Sequence, residues 1–169
     1  MITGPKVEER TEQPYVALRS QVAMRDLGSV IPHLLGDVFA WLGQRGIPPT
    51  GAPFVRYLVI DMAAQLDIEV GVPVASAVPG DGRIRAGVLP AGRYASLVYT
   101  GPYDGLMEAN GALLDWGAEQ GLVWDSWPAE HGEGFGARLE SYRTDPNEEP
   151  DPTKWETEVA IRVADDHPR

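Results

Sequence analysis

Apolar residues alternate with polar ones in several short stretches, the pattern of β-strands that bury one face. In the first half of the chain this pattern covers residues 15–24, 53–60 and 66–74. In the second half it covers residues 84–89, 93–100, 135–143 and 155–163. Gly, Pro and acidic residues separate these stretches and favour turns, so we expect antiparallel sheets.

Two longer stretches carry apolar residues at helical spacing. The first helix is expected to start near Ser29 and end before Gly46, and the second to run from about Asp104 to Gln120. The apolar stripe of the first helix consists of Ile31, Leu34, Leu35, Val38 and Leu42. Residues 1–13 and 164–169 lack such periodicity, which predicts a flexible leader and a tail.

The order strand–helix–strand–strand occurs twice, over residues 14–76 and 84–163. Trp41 matches Trp116 late in each helix at an offset of 75 residues, and Val70 matches Val159 at an offset of 89. This tandem duplication predicts one α+β domain over residues 14–163. We expect pseudo-twofold symmetry, with antiparallel sheets and two long helices around a central cleft.

Composition excludes several classes of chemistry. The chain has no cysteine, which rules out disulfides, thiolate zinc sites and a Cys nucleophile. Its three histidines are too far apart in sequence for a local metal motif, and no G-x-S-x-G sequence indicates a serine hydrolase. We therefore expect neither a metal nor a cofactor.

The charge balance favours cationic ligands over nucleic acid. The 169 residues include 25 acidic and 14 basic side chains, a net charge of −11 that repels phosphate backbones. No apolar run approaches the roughly 18–20 residues that span a bilayer, so we expect a cytoplasmic protein that does not bind membranes. There are also three Phe, five Trp and six Tyr residues, enough to line an aromatic site.

Three segments of the chain resemble motifs of a known family. The segment Tyr99-Thr100-Gly101-Pro102-Tyr103, followed by Leu106, Leu113 and Trp116, resembles the Y-x-G-x-Y-helix-W pattern of GyrI-like small-molecule-binding domains. Residues 140–146 resemble their E-x-Y-x-x-D-P strand and turn, and residues 158–163 their closing E-V-x-I-x-V strand. The resemblance covers roughly residues 14–163. GyrI-like domains also form the effector-binding parts of multidrug-responsive activators of the MerR and AraC classes.

This resemblance implies a cleft between two repeats, in which a Glu ringed by aromatic side chains meets lipophilic, often cationic ligands. It assigns the Glu role to Glu140 and an aromatic role to Tyr142. Because the chain begins directly at the first predicted strand, we expect a stand-alone binding protein without a helix-turn-helix.

The residues themselves support such a site. Glu140 and Tyr142 point to one face of a strand, because strand side chains alternate between faces. Aromatic faces attract organic cations, and a partly desolvated carboxylate adds charge selection. Alternatively, Glu140 is a solvated strand residue paired with Arg138 or Arg143. The further ligand-binding candidates are Trp127, Phe135, Trp155, Tyr57, Met62, Tyr99 and Tyr103.

Three functions are consistent with these features. The first is a multidrug-type protein that sequesters hydrophobic, often cationic aromatic compounds, and we expect it over catalysis. The second is a GyrI-like hydrolase that opens cyclopropane rings of DNA-alkylating natural products, with Glu140 polarising water and Tyr142 donating a proton. The third is an acidic interaction module, similar to a gyrase inhibitor, that presents the turn at residues 145–151 to a protein partner.

Overall fold

The computed structural model describes residues 1–165; of the predicted tail, residues 166–169 lie outside the described part. Two long helices and ten strands make up this part. The first half contains β1 (Ile2–Arg10), β2 (Gln13–Val22), α1 (Leu27–Arg45), β3 (Phe54–Ile60) and β4 (Leu66–Pro73). The second half contains β5 (Arg85–Leu89), β6 (Gly92–Thr100), α2 (Leu106–Glu119), β7 (Ser126–Pro128), β8 (Glu133–Phe135), β9 (Arg138–Tyr142) and β10 (Glu156–Arg162).

All these strands belong to one antiparallel sheet in the order β1-β6-β10-β9-β3-β4-β2-β5, and β7 and β8 extend it beside β3. The order is symmetric about the β9–β3 pair, where Glu140 lies opposite Val55. On one side β10 and β6 follow β9, and on the other β4 and β2 follow β3. The predicted α+β duplication with two long helices is therefore confirmed.

The prediction of a flexible leader over residues 1–13 is wrong for most of that segment. Residues 2–10 form β1, which pairs with β6 along the edge of the second repeat. Conversely, β5 from the second half of the chain pairs with β2 in the first half. The first strand of each half of the chain therefore pairs with the other half. The sequence does not reveal β1 because most of its side chains are exposed, and its backbone hydrogen bonds need no apolar alternation.

The predicted strand over residues 135–143 is interrupted. β8 ends at Phe135 and β9 begins at Arg138, with Gly136 and Ala137 between them. The Gly136 amide donates to the Asp125 carbonyl over 2.8 Å, and its own carbonyl accepts from Arg56 Nη2 over 2.6 Å. These bonds replace the sheet pairing that the break removes.

Both helices pack on the same face of the sheet. Directly paired residues in neighbouring strands point to one face, and one such row reads Leu18, Val70, Val55, Glu140, Val159 and Leu97. Leu18 packs with Val38 and Leu42 of α1, whereas Leu97 packs with Leu113 of α2. The centre of the row, on β3 and β9, therefore lies between the two helices.

Candidate functional site

Glu140 is the one charged side chain in this central row of six, and the other five members are apolar. Its counterpart by the symmetry of the sheet is Val55, rather than the first-repeat candidates Tyr57 and Met62. Tyr57 instead lies two residues beyond Val55 on β3 and contacts Glu140 directly. The duplicated fold thus carries a single carboxylate at its centre.

Three neutral donors hold the Glu140 carboxylate. Oε1 accepts from the Tyr57 hydroxyl over 2.9 Å and from the Tyr142 hydroxyl over 3.2 Å. Oε2 accepts from Asn110 Nδ2, on α2, over 2.9 Å. Glu140 is 6% exposed and Tyr57 8% exposed, so little solvent reaches this cluster. Both oxygens therefore have hydrogen-bond partners within the chain itself.

The two tyrosines remain hydrogen-bond donors over the physiological pH range. Burial, and secondly the nearby Glu140 charge, raise the pKa of Tyr57 well above its ordinary value of 10.0. The same two causes raise the pKa of Tyr142 well above 10.0. A protonated phenol beside a carboxylate stabilises the negative charge without neutralising it.

Arg138 makes no direct hydrogen bond to Glu140, and the hydrogen bonds that connect the two side chains run through Asn110. Its Nη2 donates to Asn110 Oδ1 over 3.2 Å, and its guanidinium lies 4.9 Å from the centre of the Phe135 ring. Burial lowers the pKa of Arg138, while Tyr57 and Glu140 act in the opposite direction. Arg143, the other cation considered as a partner, pairs with Glu158 at 2.8 Å. Within residues 1–165, Glu140 therefore makes no ion pair.

Asn110 is a site residue that sequence reasoning did not assign. It is a polar residue on the inward face of α2, four residues after Leu106, whose carbonyl accepts from its amide over 2.8 Å. An amide on an otherwise apolar helix face was the available signal, since buried polar groups need partners. The partner itself is visible only in the folded chain.

Aromatic side chains lie next to Tyr142. The Tyr103 ring contacts the Tyr142 ring edge-on at 5.5 Å and lies 4.8 Å from the Trp155 ring. Trp155 donates from Nε1 to the Glu149 carbonyl over 2.7 Å, which fixes its indole. Thr157, directly opposite Tyr142 on β10, is fully buried, and its hydroxyl has no hydrogen-bond partner in the described chain. Tyr103, Tyr142 and Trp155 thus form one aromatic group beside the carboxylate.

The remaining candidates lie outside the hydrogen bonds of Glu140. The Tyr99 hydroxyl donates to the Pro102 carbonyl over 2.8 Å and holds the turn before α2. Phe135 is buried under Arg138. Trp127 is 48% exposed, with its indole against Gly134, and Met62 is 61% exposed. Tyr57 and Tyr142 therefore contact Glu140 directly, and Tyr103 and Trp155 are connected to it through Tyr142. Trp127 and Met62 make no such contact within the described residues.

Among the described residues, no three acidic or histidine side chains are grouped so that they could hold a metal ion. In the same part of the chain, neither helix combines the length and the hydropathy that a transmembrane helix requires.

The family model for the GyrI-like small-molecule-binding domain matches residues 3–164. The chain belongs to the GyrI-like family. Its domain is thus a small-molecule-binding one, as the motifs at residues 99–103 and 140–146 implied. The match also includes β1, in agreement with the pairing of that strand. A search of curated proteins found no match.

Solved structures with the same fold include EcmrR, seen in a complex with DNA, with a TM-score of 0.78 at 22% identity. That match covers 95% of this chain and 57% of the EcmrR chain, and the separate EcmrR C-terminal domain matches over 97% of its length (TM-score 0.73, 20% identity, 95% of this chain). SAV2435 bound to tetraphenylphosphonium has a TM-score of 0.60 at 9% identity, covering 96% of this chain and 94% of SAV2435. A hydrolase from Listeria innocua has a TM-score of 0.63 at 13% identity, covering 95% of this chain and 91% of the hydrolase.

Proposed function

We propose that this GyrI-like domain binds hydrophobic, often cationic aromatic compounds at Glu140, and acts in the cytoplasm as a multidrug-type sequestering protein. One observation carries the proposal: a buried carboxylate without an ion pair among residues 1–165. Three neutral donors of the chain stabilise its charge. An organic cation adds the ionic partner that they do not supply.

The surroundings of Glu140 favour aromatic cations. Charge pairing strengthens as the effective dielectric constant falls, and at 6% exposure Glu140 is largely shielded from water. Each aromatic face adds about 0.5–2 kcal/mol of attraction for a cation. Tyr142, Tyr103 and Trp155 form an aromatic group beside Glu140, and the Tyr57 ring is a further aromatic side chain within hydrogen-bond reach of it. We expect micromolar affinity, about −8 kcal/mol.

Ligand entry requires side chains to move, because Glu140 is almost covered in this structure. Tyr103 is 37% exposed and is the outer ring of the aromatic group, so we propose that it turns away first. Trp127, Phe135, Tyr99 and Met62 are proposed as peripheral wall residues, with smaller effects on affinity. The structure of SAV2435 with tetraphenylphosphonium supports this ligand class, since the two proteins share the fold.

Titration calorimetry with tetraphenylphosphonium tests the proposal. We expect the wild type to bind, and Glu140→Gln to weaken binding at least tenfold, because the amide keeps the size of the side chain and loses the charge. Glu119→Gln is the matched control, since it removes the same charge from an exposed position at the end of α2. Equal affinity of wild type and Glu140→Gln, or no binding by either, contradicts the proposal.

Hydrolysis of a strained ring is the second candidate, and it uses the same Glu140 and Tyr142. It is supported by the fold shared with the Listeria innocua hydrolase. In this structure Oε1 accepts two hydrogen bonds and Oε2 one, so a catalytic water would have to use the remaining acceptor position of Oε2, on a side chain that is only 6% exposed. Binding is therefore the better-supported function. Mass spectrometry after incubation with a cyclopropanoid compound separates the two, because only a hydrolase adds water to it.

A further inference from the structure

Arg138, Glu140 and Tyr142 occupy alternate positions on β9 and share its helix-facing side. Neighbours in this line are about 7 Å apart, since a strand rises by roughly 3.3–3.4 Å per residue. The site thus presents a guanidinium, a carboxylate and a phenol in a row. A planar aromatic ligand of two or three fused rings is long enough to contact both the Arg138 guanidinium and the Glu140 carboxylate.

The hydrogen-bonding capacity of Arg138 is largely unused. A guanidinium has five N–H donors, and among the described residues only the Nη2 contact with Asn110 engages one. Its Nε is buried without a partner, and Arg138 forms no ion pair within residues 1–165. The charge of Glu133 raises the pKa of Arg138, but the two side chains are too far apart to form an ion pair. Arg138 is half-buried, and a buried donor such as its Nε is costly to leave without a partner unless a ligand satisfies it.

We propose that the cleft selects aromatic ligands that combine a cationic group, held by Glu140, with a carboxylate or similar acceptor, held by Arg138. This inference rests on the proposed function and narrows its ligand class to zwitterionic aromatic compounds. A carboxylate suits a guanidinium because two parallel N–H donors match its two oxygens. A purely cationic ligand gains the Glu140 contact but faces the like charge of Arg138.

A different role for Arg138 makes a different prediction. If Arg138 only offsets the charge of Glu140, it weakens every cationic ligand equally, whether or not the ligand carries an acceptor. If it binds the acceptor, it discriminates between two ligands that differ only in that group. The ratio of two affinities therefore decides between these roles.

Rhodamine 110 and rhodamine 123 form such a pair, because they share the cationic xanthene and differ in a free carboxylate against a methyl ester. In fluorescence polarisation at pH 7.5 we expect the wild type to bind rhodamine 110 at least tenfold more tightly. Visible xanthene absorbance shows that the bound dye is the open zwitterion. We expect Arg138→Met to reduce this preference at least tenfold, chiefly by weakening rhodamine 110.

Two further variants complete the test. Arg138→Gln loses the charge but keeps an amide donor for Asn110, and it replaces the Met variant if that one does not fold. Arg143→Met removes an equal charge from an exposed position and should leave the ratio unchanged. The inference is overturned if the wild type prefers rhodamine 110 less than threefold, or if Arg138→Met and Arg138→Gln leave the preference unaltered. In either case the proposed function still stands. If the wild type binds neither dye, the proposed function and this inference both fail.

Discussion

Tyr57→Phe is the sharpest probe of how the protein stabilises the Glu140 carboxylate. The substitution keeps the buried ring and removes only the hydroxyl that donates to Glu140 Oε1 over 2.9 Å. A hydrogen bond to a charged group contributes about 1.5–3 kcal/mol, and at 6% exposure Glu140 has little water to replace it. We therefore expect the free energy of unfolding to fall by about 2 kcal/mol.

Urea unfolding followed by circular dichroism measures this change, and a thermal scan should show a decrease of about 2–4 °C per kcal/mol for a chain of this size. Tyr142→Phe should cost less, about 1 kcal/mol, since its contact with Oε1 is longer, 3.2 Å. Tyr99→Phe is the matched control because its hydroxyl donates to a neutral carbonyl, that of Pro102.

A double-mutant cycle identifies the acceptor. In the Glu140→Gln background the charge is absent, so Tyr57→Phe should cost only about 1 kcal/mol, the ordinary value for a neutral pair. A cost below about 0.5 kcal/mol in the wild-type background would refute the reasoning, because surface-like substitutions already reach that size. If Tyr57→Phe lowers the free energy of unfolding equally in both backgrounds, the Tyr57 hydroxyl does not stabilise the charge of Glu140.

Two further predictions concern stability. Burial and the Glu140 charge raise the pKa of Tyr57 and Tyr142 well above 10.0, so the folded protein keeps protons that the unfolded chain loses. Their contribution to the free energy of unfolding should be constant below about pH 9 and fall above pH 10, by up to about 1.4 kcal/mol per pH unit and tyrosine, and Tyr57→Phe should make this fall shallower. An identical pH profile for the variant would contradict the assignment. Thr157→Val should leave the protein unchanged or stabilise it by up to about 1–3 kcal/mol, because it removes a buried hydroxyl without a partner; a lower melting temperature would show that this hydroxyl makes a hydrogen bond.

The local parts of the fold were predictable from the sequence because they depend on spacing alone. The stripe from Ile31 to Leu42 predicts α1, and Val38 and Leu42 are indeed buried. Gly46 ends that helix with a φ of 65°, a conformation that glycine adopts without strain. The shared face of Glu140 and Tyr142 follows from the strand period of two, which needs no knowledge of the partner strands.

Long-range pairing was not predictable in the same way. Tyr57 lies 83 residues from Glu140 and Asn110 lies 30 residues away, and neither position carries a local pattern that points to a carboxylate. Arg138 was considered only as a direct partner of Glu140, whereas the fold places Asn110 between them. The break at Gly136 likewise depends on contacts outside the strand, with Asp125 in the preceding loop and with Arg56, 80 residues away.

Local patterns and motifs were therefore enough to predict the duplicated α+β order and the family, and they made Glu140 a candidate for the ligand site. The folded structure was needed to show that β1 and β5 each pair with the opposite half of the sheet, and that Val55 is the counterpart of Glu140. The same structure decided that three neutral donors surround this carboxylate. The physical reason is that side-chain periodicity records which face of an element is buried. The choice of a partner strand depends on backbone hydrogen bonds that nearly every residue can make.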